Sequence, residues 1–115
     1  MAVKIAERDQ LVYAGQVNAS GDTAIVAAVA GKQIVLDGYS LDLRAAVATT
    51  ALLKDGASGG KGNLAREDGV AIGDLRKDPL WYPVGSWPVL TTNTALVLNL
   101  SAAQPVTVNV WYHLK

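Results

Sequence analysis

The chain has 115 residues, ten basic and ten acidic side chains and no cysteine; 50% of it is hydrophobic and 17% charged. That length makes one domain, the apolar content excludes a disordered chain, and a formal net charge of zero leaves no broad field to steer the protein onto nucleic acid or anionic lipid. The lack of cysteine excludes disulfides, thiolate metal sites and cysteine nucleophiles.

Residues 1–9 read as an N-terminal arm ahead of a single domain over 10–115. Lys4, Glu7, Arg8 and Asp9 interrupt any apolar run in the arm, so no signal peptide is expected, and no later segment approaches the roughly 20 apolar residues of a membrane-crossing helix. Strands are expected at 10–17, 23–29, 33–44 and 47–54, where Val, Ile, Leu and Thr are bounded by turn residues. Ser20-Gly21-Asp22 and Ala30-Gly31-Lys32 put glycine where a tight reversal needs positive φ, and Gly38 inside the third run predicts a bulge or sharp bend. The alanine content makes helix the rival reading of 23–30 and 45–53. Neither stretch carries an apolar stripe at helical spacing, which favours strand.

Residues 55–78 change in character: glycine-dense at first (Gly56, Gly59, Gly60, Gly62), then charged from Lys61 through Arg66 and Glu67 to Asp78. They read as a long loop, shortened if Val70-Ala71-Ile72 forms a strand, and a loop of this length in a small domain points to contact with a partner. Residues 79–88 hold Pro79, Pro83 and Pro88 with Trp81, Tyr82 and Trp87, an extended segment unsuited to a central strand. At the C-terminal end, Leu96, Leu98 and Leu100, then Val106, Val108, Val110, Tyr112 and Leu114, alternate with other residues as half-buried strands do. The join at 101–105 reads as a hairpin connection that pairs these two strands antiparallel. The sum is an all-β chain, an antiparallel β-sandwich or jelly roll of about eight strands.

Catalytic chemistry finds little material. His113 is the single histidine, no patterned Ser or Asp stands beside it, and Gly85-Ser86-Trp87 lacks the glycines of a nucleophile elbow. A solvent-facing or interface histidine is the expectation, and the chain is not read as an enzyme. Zinc needs more His or Cys than the chain has. Asp55, Asp68, Asp74 and Asp78 could converge on calcium, but without the spacing of a calcium loop they read as a solvated charged face. The glycines from Gly56 to Gly62 miss the phosphate-loop spacing and lack the Ser or Thr that would hold magnesium. No cofactor or metal is expected.

Trp81, Tyr82 and Trp87 admit two readings. Exposed, they would stack on sugar rings; buried, they would close one end of the sandwich or cement a subunit interface. Burial is favoured because a chain without phenylalanine needs the bulk. The small-residue strands fill little volume, so assembly with further copies is expected to complete the buried area.

The order of segments also resembles a family. The run Ser20-Gly21-Asp22-Thr23-Ala24-Ile25-Val26-Ala27-Ala28-Val29-Ala30-Gly31-Lys32-Gln33-Ile34-Val35-Leu36 resembles the opening of small tailed-phage virion proteins. Gly85-Ser86-Trp87, then Ala95-Leu96-Val97-Leu98-Asn99-Leu100-Ser101-Ala102-Ala103 and a closing strand with Trp111-Tyr112, is similar to their C-terminal half. The likeness covers most of residues 20–112 as strand-and-turn patterning; Asp37, residues 61–78 and residues 1–9 fall outside it. It implies a trimeric sandwich or jelly roll made in the bacterial cytoplasm and placed on the virion as capsid decoration, cement or head-fibre base. The implied partners are two more copies of the chain and the major capsid protein, with no nucleic acid and no membrane. Candidate contact residues are Val3, Lys4 and Ile5 in the arm, where a strand could add to a sheet edge, Lys61 and Arg66 in the charged stretch, and Trp81, Tyr82 and Trp87. The alternative is a carbohydrate- or host-receptor-binding module of a tail or head fibre that uses the three aromatics.

Overall fold

The computed structural model describes residues 10–44, 48–56, 62–69, 74–76 and 79–115. Among these residues the chain is all-β, with nine strands in two antiparallel sheets and no helix: β1 (Leu11–Val17), β2 (Gly21–Val26), β3 (Ile34–Arg44), β4 (Thr49–Asp55), β5 (Gly62–Gly69), β6 (Asp74–Arg76), β7 (Leu80–Trp81), β8 (Leu96–Leu100) and β9 (Val106–Leu114). Sheet A runs β1-β9-β3-β6, with the short β7 also on β3, and sheet B runs β2-β8-β4-β5. The helix reading of 23–30 fails because β2 is paired along β8, with a register shift between Ala24 and Val26.

The core lies between the sheets and follows from the period of two. Val106, Val108 and Val110 of β9 and Ile34, Leu36, Tyr39 and Leu41 of β3 face Leu96, Leu98 and Leu100 of β8 and Ala51 and Leu53 of β4. Each fully buried Leu or Val contributes about 1.5–3 kcal/mol through removal of apolar surface from water. The turns behave as their glycines predict, with φ of 86° at Gly21 and 74° at Gly31.

Two expectations are corrected. The strands at 96–100 and 106–114 do not form a hairpin: β8 lies between β2 and β4 in sheet B, and β9 between β1 and β3 in sheet A. Both have each edge occupied, so the 101–105 connection crosses the core instead of turning within one sheet. Local alternation specifies a strand but not the sheet that it joins. The long loop read at 55–78 is likewise interrupted: β5 pairs with β4 from Thr49↔Gly69 to Asp55↔Gly62, and β6 pairs with β3. The charges of Arg66, Glu67 and Asp68 mask β5 because it is an edge strand, where charged residues are common and block further pairing.

Candidate functional site

The outer face of sheet A gathers all three tryptophans, and one irregularity in β3 arranges them. Leu36 pairs with Tyr112 and Gly38 with Trp111, so Asp37 is the extra residue of a bulge. Past the bulge, Gly38 stands in register with Trp111 of β9 on one side and Trp81 of β7 on the other. A Cβ on Gly38 would lie 2.6 Å from the Leu80 carbonyl oxygen and 2.7 Å from Trp81 Cε3. Glycine is therefore what lets the Trp81 indole approach β3 so closely. The indole reaches Trp111 with ring centroids 4.6 Å apart and planes tilted by 36°, within the range of favourable aromatic pairs. Val12 of β1 is the register partner of Trp111. A stripe of Trp81, Trp111 and Val12 thus crosses four strands, with Trp81 52% and Val12 58% exposed.

Residues 80–90 form a broken edge along β3. Trp81 pairs with Gly38, Tyr82 N donates to the Asp37 carbonyl, Leu36 N donates to the Pro88 carbonyl, and Val35 bridges to Val89. Between these contacts the chain bows outward through a turn closed by Ser86 N donating to Pro83 O at 2.9 Å, with Gly85 at φ 89°. A positive φ at the third residue is what a type II turn demands. The prolines sit here at no cost to the ladder because this is an edge.

Beneath the bow lies a polar pair in apolar surroundings. His113 Nδ1 is 2.9 Å from Asp37 Oδ1, and Gln10 Nε2 donates to Asp37 Oδ2 at 3.2 Å. A carboxylate only accepts, so Nδ1 carries the proton in this pair and Nε2 is the nitrogen left over. Trp87 meets the imidazole edge-on, with centroids 5.2 Å apart and planes at 79°. Asp37 is 3% and Val35 2% exposed although both lie on the outer side of the sheet. Gly85, Trp87, Val89 and Lys115 join Val35 and His113 around a half-open recess of about 300 Å³.

The expected contact residues therefore separate. Trp81 is 52% exposed in the single chain and does not close an end of the sandwich, because β7 is an edge strand that lays the ring on the outside of the sheet. Tyr82 points the other way and packs against the core, with its ring 6.3 Å from Tyr39. Trp87 is half-buried over His113. Arg66 lies on β5 in sheet B opposite Leu52, away from this face. Val3, Lys4, Ile5 and Lys61 lie outside the described residues, as do Asp78 and most of the 56–62 glycine stretch. Asp55 is buried and accepts from Thr91, while Asp68 and Asp74 lie on strands of different sheets. Among the described residues no three metal-capable side chains come together.

His113 is neither simply solvent-facing nor without a partner. Asp37, missed as that partner, was marked in the sequence by being a charge inside an apolar strand beside a glycine. Trp111 carries no such mark, since its contact with Trp81 depends on a register that only the folded sheet sets. No family model, no curated protein and no solved structure matches the chain.

Proposed function

We propose that the chain is a structural virion protein of a tailed phage, which decorates or cements the capsid surface or forms the base of a head fibre, and that it acts by binding. The observation that carries the reading is the exposed stripe on the outer face of sheet A. Val12 and Trp81 are 58% and 52% exposed, and with Trp111 between them they form an apolar surface of the kind that marks an interaction site. Trp81 and Trp111 are the residue type that anchors interfaces. The all-β sandwich and the likeness of its strand-and-turn order to small virion proteins point the same way.

In this reading the stripe meets the major capsid protein, and association into a homotrimer multiplies a modest contact. Three linked sites hold a lattice far more tightly than one, because after the first engages, the others bind at high effective concentration. A closed symmetric trimer could thereby bridge neighbouring capsid subunits. The test is the mass of the purified chain in solution, expected at three times the 12.0 kDa of one chain. A monomer at micromolar concentration with no affinity for any capsid overturns the proposal.

A further inference from the structure

We propose that the recess under residues 83–89 is a binding site for a single neutral pyranose ring, separate from the aromatic stripe. Three features of the site carry this. The first is its composition. Trp87, Val35 and Val89 supply apolar walls, while His113 and Lys115 supply polar groups at one side of a half-open space of about 300 Å³, at the lower end of small-ligand pockets. A pyranose has the matching character, with a C–H face that packs on aromatic and aliphatic walls and hydroxyls that both donate and accept.

The second is the orientation of the histidine. Asp37 engages Nδ1 at 2.9 Å and His113 lines the recess, so Nε2 is the ring nitrogen left to exchange a hydrogen bond with a ligand hydroxyl. Burying this pair is a poor way to stabilise a strand, since replacing both partners of a buried hydrogen bond by apolar residues is often neutral or favourable. A fixed imidazole beside a cavity gives the pair a use. The third is the frame. Mutual backbone bonds between Lys115 and Gln33, at 2.9 and 3.0 Å, hold Lys115 beside the recess. At the mouth, Gly85 has nothing within 4 Å of where a Cβ would stand, which leaves room for a ring to enter.

Asp37, the buried carboxylate beside the recess, is already engaged by His113 and Gln10, and Lys115 is exposed, so its solvated ammonium asks for no anion and the ligand is placed as neutral. The binding is weak and suited to repetition over many copies, as on a decorated surface meeting a cell-surface glycan.

The experiment is a titration of the ¹⁵N-labelled chain with methyl glucoside, methyl galactoside, methyl mannoside and methyl N-acetylglucosaminide, followed by amide and indole resonances. At least one is expected to give saturable shifts centred on Gly85, the Trp87 indole N–H and His113. His113→Phe, which keeps a ring against Trp87, is expected to weaken that binding about tenfold, the scale of one lost hydrogen bond. Trp81→Ser is expected to leave it unchanged. No saturable shift from any of the four, or shifts centred on Trp81 and Trp111, overturns the proposal. Capsid binding is read through Trp81 and sugar binding through His113, so the failure of either is seen separately.

Discussion

Trp81 and Trp111 lie two strands apart and stack across Gly38, the residue between them in register, with ring centroids 4.6 Å from one another. The contact makes a continuous aromatic surface from a nominal edge strand and a central one, and it depends on the absence of a side chain at position 38. Gly38→Ala is expected to destabilise the fold by about 1–3 kcal/mol, the usual cost of an atom forced into occupied space. The same change should release Trp81 from β3. Urea denaturation measures the first effect, and acrylamide quenching of tryptophan fluorescence, expected to rise, measures the second.

The Asp37–His113 pair predicts non-additive energetics. His113→Val removes one hydrogen-bond partner of the buried Asp37 carboxylate, which keeps Gln10, and the loss should be about 1–3 kcal/mol. Asp37→Val should cost less, because His113 reaches the half-open recess and water. The double variant is expected to lie close to the parent in stability, since it replaces both polar groups by apolar ones. A double-mutant cycle by chemical denaturation checks this; losses that simply add would contradict it.

Asp55 closes the 90–95 connection onto β4. Its carboxylate accepts from Thr91 N at 3.1 Å and from Thr91 Oγ1 at 2.8 Å while only 1% exposed. Asp55→Ala is expected to lower stability by about 1–3 kcal/mol, and Asp55→Asn by less, since the amide retains one acceptor. Thermal unfolding of the two variants should rank them in that order.

On the outer face of sheet B, Asn99 Nδ2 and Lys54 Nζ both donate to the Asp22 carboxylate. These bonds, Asn99's first, hold its carboxyl below the ordinary aspartate value of 3.8. A depressed carboxyl contributes its stability above the unfolded value and loses it as pH falls through the folded one. A carbon-detected NMR titration should therefore place the Asp22 midpoint below 3.8, and Asn99→Ala should move it upward. Little change in stability at neutral pH is expected, because the group is solvent-screened.

Much of the fold was legible because period and punctuation act locally. The alternation of Val106, Val108 and Val110, the glycines at 21 and 31 and the bulge at Gly38 are settled by a few neighbours in the chain. The pairing of β8 with β2 and β4 was not legible, since either sheet could accept the same Leu96, Leu98 and Leu100 face. The strand at β5 was hidden because charges such as those of Arg66 and Glu67 do not read as a strand, although an edge strand tolerates them. At the site, tryptophan content marked Trp81 and Trp87 as candidates. Whether each ring lay inside or outside was fixed by which edge of β3 the proline-rich segment joined, a tertiary fact. Asp37 was visible as an anomaly, and its meaning required His113, 76 residues away in the chain.

The most direct test of the central claim, that the outer face of sheet A attaches this protein to a capsid, is co-sedimentation with capsids assembled without it, comparing the parent chain with Trp81→Ser. The parent is expected to pellet with the capsids at saturable stoichiometry, and the variant, folded by circular dichroism, to remain largely in the supernatant. A parent chain that stays in the supernatant, or a variant that pellets equally well, would contradict the account.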